Sequence, residues 1–283
     1  MSLVVNTNVS SIIVQRSLSN STHSIQESLN KLSTGYKINK AADDAAGLTI
    51  SEGLKAQARG AKTAANNAQS GINLLQTAEG DLAIIQDNLQ RIRDLTVQAA
   101  NGTNGSAERK AIQAEVSERV TEINRLAQSS QFNNIKLLDG TNTKVALQIG
   151  PNAGTLNVIT IGGGTGTSPL SKATASSLGI TTALGTAFGT AAKANSFISE
   201  IDKAISAVSA RRSTIGSLQN RLESAIQSLN VQYENMSASE SRIRDVDVAS
   251  EAANLTRNQI LQQSAATLLA QANQSPSIAL SLI

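Results

Sequence analysis

Residues 201–236 read IDKAISAVSARRSTIGSLQNRLESAIQSLNVQYENM, and Ile201, Val208, Ile215, Leu222, Leu229 and Met236 fall in it at strict seven-residue intervals. Ile198, Ile205, Ile226 and Tyr233 form a companion stripe. A seven-residue apolar repeat keeps one stripe of a helix turned toward a partner helix, because about 3.5 residues then complete a turn. The partner lies earlier in the chain. Leu54, Ala58, Ala61, Ala65, Ala68, Ile72 and Leu75 advance in steps of four and three, and after a slip near Glu79 the series resumes at Leu82, Ile85, Leu89, Ile92, Leu95 and Ala99. This predicts a second long helix that starts at Asp43 and Asp44, whose carboxylates suit the positive end of the helix dipole. Such a helix would span roughly 70 Å. Gly60, Gly71 and Gly80 each weaken it by about 1 kcal/mol relative to Ala, although a small residue can also let a neighbour come close. Residues 101–105 read as a turn, followed by a third helix carried by Ile112, Val116, Val120, Ile123 and Leu126.

The same period appears at both ends. Leu18, Ile25 and Leu32 repeat every seven residues with Leu29 between the last two, and Leu261 and Leu268 repeat alike with Ala265 between, Ala272 after and Leu255 before. Seams at opposite ends predict that the termini meet. The first helix is expected over residues 6–33, capped by Asn6, Thr7 or Asn8 and ended by Gly35. The last is expected to be interrupted by Pro276, with Ile278, Leu280, Leu282 and Ile283 beyond. A pair of terminal helices without aromatics, leaving Ile12, Ile13, Leu255 and Leu269 uncovered, is marginal by itself. Residues 1–40 and 245–283 are therefore expected to be disordered in a monomer and to order when neighbours cover them.

The middle differs. Residues 145–149 and 156–161 read as two strands joined by a turn at 150–154, a β-hairpin. Residues 162–169 and 181–189, rich in Gly and Thr, read as loop. The fold class is mainly α: a long antiparallel helical rod or coiled coil with a small β-hairpin and paired termini. Its expected parts are residues 1–43, residues 44–240 with the hairpin and loop at about 141–190, and residues 241–283.

Composition narrows function. Aromatics are 2% of the 283 residues, with no Trp and no Cys. Without Cys there is neither a disulfide framework nor thiolate chemistry. The net charge is only +3, and basic residues sit among acids (Arg91, Arg93 and Asp94; Glu108, Arg109 and Lys110) without aromatic interleaving, so nucleic-acid binding is not expected. No run approaches a membrane span of about 18 apolar residues, and Met1 to Gln15 lacks the basic region of a cleaved secretory signal until Arg16. His23 is the one histidine and makes no metal cluster; an exposed helix position is its simpler reading. The glycines at 162–166 lack the GK[ST] of a phosphate loop. No catalytic, cofactor or metal site is expected, and an enzyme is disfavoured. A membrane-surface amphipathic protein is disfavoured too, since rows of Lys and Arg flanking Trp or Phe are missing.

Several motifs carry a resemblance. Val4-Val5-Asn6-Thr7-Asn8, then Leu32-Ser33-Thr34-Gly35-Tyr36-Lys37-Ile38-Asn39 followed by Ala42-Asp43-Asp44-Ala45-Ala46-Gly47, resemble the N-terminal signature of bacterial flagellins. Gln90-Arg91-Ile92-Arg93-Asp94-Leu95 and Gln131-Phe132-Asn133 also fit. Arg242-Ile243, Gln259-Ile260-Leu261-Gln262-Gln263 and Leu269-Ala270-Gln271-Ala272-Asn273-Gln274 resemble the C-terminal signature, though the chain stops at Ile283 without a polar final residue. The resemblance covers about residues 1–140 and 190–283. It implies a minimal flagellin without large outer domains, whose paired ends line a filament core. It also implies partners: further copies of the chain in a homopolymer, the flagellar export apparatus, a cytoplasmic flagellin chaperone, filament cap and junction proteins, and a host Toll-like flagellin receptor. The patch matching that receptor's site is Arg91, Leu95 and Glu115, although Leu95 also continues the apolar series and core packing explains it as well. The related hook–filament junction protein is the nearest rival reading.

Overall fold

The structure, a computed structural model, describes residues 7–142, 144–162 and 168–280, without the side chains of 182, 183 and 275–280. The opening motif at 4–6, most of the Gly-rich stretch and the last two apolar residues lie outside them. The elements are α1 (Val9–Thr34), α2 (Ala45–Ala100), α3 (Ser106–Ser129), β1 (Gln131–Phe132), β2 (Ile135–Lys136), β3 (Lys144–Gln148), β4 (Val158–Gly162), α4 (Ile180–Ala187), α5 (Ala191–Arg244) and α6 (Val248–Leu280). The chain divides into two compact units, residues 57–233 and residues 1–56 with 234–283.

In the unit of residues 57–233, α2 and α5 run antiparallel. Arg93 pairs with Asp202 at 2.7 Å, Arg212 donates to Gln86 at 2.9 Å, and Lys62 lies 5.9 Å from the Tyr233 ring centre. α3 returns along α2, where Arg91 and Arg119 meet Glu115 and Arg119 also reaches Asn88. The expected seam is the core: Leu82, Ile85, Leu89, Ile92, Ile201, Val208, Ile215 and Leu222 are all fully buried. Each such side chain stabilises the fold by about 1.5–3 kcal/mol relative to exposure. The companion stripe on α5 sits one residue earlier than expected. Phe197, Ala204, Arg211 and Leu218 are buried, whereas Ile198, Ile205 and Ile226 are only half-buried and Tyr233 is exposed. The buried set includes a cation. Arg211 is 4% exposed, its Nη1 donates to the carbonyls of Ser171 and Lys172, and burial pushes its pKa down.

The hairpin forms as β3 and β4 in antiparallel register, Val145 opposite Ile161 and Leu147 opposite Ile159. Gln148 staples its turn by donating to the carbonyls of Gly150 and Asn152. The hairpin lies on α2 where α2 has glycine. A Cβ at Gly60 would meet Pro151 Cβ at 2.8 Å.

Two expectations need correction, and one element was not foreseen. Residues 180–187 are not loop but α4, because Ile180 and Ala187 are buried and that burial outweighs the poor helix propensity of Gly and Thr. A second, two-residue-long hairpin joins β1 to β2 through Asn133 and Asn134, both in left-handed conformation (φ 46° and 64°). Pro276 does not interrupt the last helix; α6 passes through it to Leu280.

Candidate functional site: the paired terminal helices

α1 begins because Asn8 caps it, its Oδ1 accepting the Ser11 N–H at 3.1 Å, and ends at Gly35 in the left-handed region (φ 74°). α6 begins at Asp247, whose carboxylate accepts the N–H groups of Ala249 and Ser250 at the positive end of the dipole. The two helices pair antiparallel. Asn8 bonds the carbonyl of Ala272, Ser11 bonds Asn273 at 2.8 Å, and Gln262 donates to Thr22 at 3.0 Å.

The seam between them has a different composition from the expected one. Ser21, Ser28 and Ala265 are its buried residues; Val14, Leu18, Ile25, Leu32, Leu255, Asn258, Gln262 and Leu269 are half-buried. Leu29, Leu261 and Leu268 lie outside it, at 50%, 50% and 56% exposure. Each of the three sits one residue from a seam position, Ser28, Gln262 and Leu269, and one residue is a turn of about 100° around a helix. Counting sevens therefore keeps the phase on α1, at Leu18, Ile25 and Leu32, and loses it on α6, at Leu261 and Leu268. Small residues hold the seam, so the backbones come close and the larger apolar side chains are left outside. Val9, Ile12, Ile13 and Ile260 share that outer exposure.

Both helices are anchored at one place. Lys37 N–H donates to the Arg244 carbonyl at 2.7 Å and Val246 N–H to the Gly35 carbonyl at 3.0 Å, flanking a bridge from Tyr36 to Asp245. The Arg244 guanidinium lies 4.6 Å from the Tyr36 ring centre and pairs with Glu52. Asp43 braces the segment after α1 by accepting the Asn39 and Lys40 N–H groups at 2.9 and 2.8 Å. The Lys40 bond above all, then the Asn39 bond, holds its pKa below the ordinary carboxylate value. Sequence reading missed this junction, since no period marks it; the adjacent Gly35 and Tyr36 before a capping Asp pair were its one visible sign.

The receptor-matching residues lie in the other unit and are only partly brought together. Arg91 and Glu115 pair at 3.3 Å with half-exposed side chains. Leu95 is 3% exposed, so it packs in the core and presents no surface. His23 is exposed beside Glu27. Among the described residues no group of three or more His, Cys, Asp and Glu is placed to hold a metal, and no helix is long and apolar enough to cross a membrane.

Comparison with known proteins agrees with this geometry. The family profile "Bacterial flagellin N-terminal helical region" matches residues 5–143, and "Bacterial flagellin C-terminal helical region" matches residues 198–283. The flagellar filament 33 kDa core protein of Treponema phagedenis is 41% identical over 99% of this chain and 100% of its own length. A flagellin of Halalkalibacterium halodurans is 43% identical over the same shares. A flagellar hook-associated protein from Vibrio parahaemolyticus shares the fold alone, with a TM-score of 0.57 and 14% identity over 72% of this chain and 100% of that one. Two terminal profiles and full-length relatives thus meet on a chain whose ends pair, and it belongs to the bacterial flagellin family.

Proposed function

We propose that this chain is the structural subunit of an extracellular bacterial flagellar filament, exported without a cleaved signal peptide and serving motility. One observation carries the mechanism. The paired terminal helices leave Val9, Ile12, Ile13, Leu29, Ile260, Leu261 and Leu268 about half exposed or more, a density of uncovered apolar side chains that a solitary chain does not keep. Covering them with neighbouring copies provides the driving force, at about 25 cal/mol per Å² of apolar surface. Contacts between unlike faces that do not close on themselves extend into an open helical polymer. On this reading residues 1–43 and 241–283 form the filament core and residues 44–240 surround it. Leu18, Ile25, Leu32 and Leu255 act within the subunit, and Leu29, Leu261 and Leu268 act between subunits. The export apparatus, a cytoplasmic chaperone, and cap and junction proteins are the further partners. Membership of a family of filament proteins supports a structural role over a catalytic one. Electron microscopy of the purified protein after seeding tests the proposal. Filaments are expected; a chain that stays soluble and globular at high concentration with intact ends overturns it. Hydrogen exchange on the soluble chain is expected to show weak protection at 9–34 and 248–280, and strong protection there overturns the folding-on-assembly step.

The half-exposed Arg91–Glu115 pair favours a second role, recognition by a host Toll-like flagellin receptor, since a fixed guanidinium is a strong interface anchor. Arg91→Ala is expected to reduce receptor signalling by soluble protein without unfolding residues 57–233. Unchanged signalling at equal dose removes Arg91 from the site.

A further inference from the structure

α6 runs through Pro276. Proline has no N–H, so the carbonyl four residues earlier, that of Ala272, loses its helical donor. That carbonyl is instead the acceptor of a bond from α1: Asn8 Nδ2 donates to it at 2.7 Å. Asn8 Oδ1 meanwhile accepts the Ser11 N–H. One amide thus completes two helices. Its orientation is fixed, because its oxygen faces a donor and its nitrogen faces an acceptor.

We propose that Asn8 and Pro276 form a register lock for the terminal pair. The rest of the seam is a poor ruler. Its buried residues are Ser21 and Ser28, seven apart on α1, and Ala265 on α6, small side chains whose contact a slip of one heptad would largely reproduce. Asn8 breaks that degeneracy. On the helical stretch facing α1, the proline frees a particular carbonyl, and one alignment of α1 brings the Asn8 donor to it. In a chain slipped by seven residues so that Asn8 meets residue 265, Asn8 would face a carbonyl whose helical N–H, that of Leu269, is present, and the Ala272 carbonyl would lose its partner. A single polar group that sets register in an otherwise slippery seam is a known use of buried asparagine in coiled coils. Ser11 with Asn273 and Thr22 with Gln262 align the same register but leave no carbonyl orphaned when it fails.

The lock rests on the filament reading, and a double-mutant cycle on assembled filaments separates the two. Asn8→Asp keeps the acceptor that caps α1 and removes the donor. Pro276→Ala restores the N–H that the Ala272 carbonyl lacks. In the chain that keeps Pro276, Asn8→Asp is expected to raise the critical concentration for filament growth about fivefold, the worth of one net hydrogen bond. In the Pro276→Ala background the same change is expected to matter less than about twofold, because capping effects are common to both backgrounds and cancel. An equal loss in both backgrounds overturns the lock. If Asn8→Asp assembles only together with Pro276→Ala, the lock stands; if it assembles in neither, the lock falls. Solid-state NMR on unmutated filaments gives a second reading: a close contact between Asn8 Nδ2 and the Ala272 carbonyl is expected, and its absence overturns the proposal. If the unmutated chain makes no filaments, the proposed function fails by itself, and the same cycle is scored on thermal loss of helix in the soluble chain.

Discussion

Leu147 of the hairpin occupies the space that a side chain at Gly71 would need: a Cβ there would collide with Leu147 Cδ1 and lie 3.4 Å from Leu222 Cδ1. The helix gives up about 1 kcal/mol of propensity at Gly71 and gains the hairpin's contact. Gly80, on the same helix, has open space around it. Gly71→Ala is therefore expected to destabilise the protein by about 1–2 kcal/mol through forced repacking, whereas Gly80→Ala stabilises it by up to about 1 kcal/mol. Urea unfolding of the two variants checks the opposite signs; equal signs refute the close-approach account.

Arg211 is expected to act as a brace for the 171–172 segment. Arg211→Met keeps the volume of the stem but takes the Arg211 donor from the Ser171 carbonyl, while the Lys172 carbonyl keeps the Ser177 hydroxyl. A loss of about 1–3 kcal/mol is expected from chemical denaturation, with hydrogen-exchange protection falling around residues 171–175 first. A neutral Arg211→Met would mean that the Ser171 carbonyl finds water.

Ala265 and Leu261 separate the two roles of α6. Ala265→Asp places a carboxylate in the buried seam and is expected to disrupt the α1–α6 pair. Leu261→Asp leaves that pair intact, since the side chain is half exposed, yet is expected to abolish filament growth because a neighbour must bury it. Sedimentation and electron microscopy, alongside circular dichroism, read both. Normal polymerisation of Leu261→Asp removes it from the interface between subunits.

Asp43 predicts an acid response. Its pKa is held below the ordinary value by the N–H groups of Lys40 and Asn39. Its stabilisation is thus complete above the pKa of the unfolded chain and is lost as pH falls through the lower folded value. Exchange protection of the Asn39 and Lys40 amides is expected to persist at neutral pH and to fall once the carboxylate is protonated. Protection that is unchanged in strong acid would show that the backbone alone holds the turn.

The legibility of the fold follows burial on one face. α2, α3 and α5 bury continuous stripes of Leu, Ile, Val and Ala, so their period announced them. The terminal seam was legible in part: Leu18, Ile25, Leu32, Leu255 and Ala265 lie in it, whereas Ser21 and Ser28 are buried there and hydrophobicity does not mark serine. α4 and the Asn133–Asn134 turn were hidden for other reasons: one is held by distant burial, the other by two residues that tolerate a left-handed backbone. Arg211 escaped because a guanidinium on a core stripe becomes acceptable only once a separate segment supplies its carbonyls. Of the receptor-matching residues, Leu95 followed its apolar period into the core and Arg91 followed its charge to the surface.

The bonds between Gly35–Lys37 and Arg244–Val246 also bear on the order of folding. α1 and α6 are partners separated by most of the chain, as the Thr22–Gln262 pair shows. From a random coil, the meeting of Thr22 with Gln262 closes a loop of about 240 residues; once the junction has formed, it closes one of about 30, an entropic saving of roughly 2 kcal/mol. The terminal helices are thus kinetically subordinate to the junction. They zip last and release first, so a subunit can arrive with its centre built and its ends still chain-like, ready to be finished by the neighbour it joins.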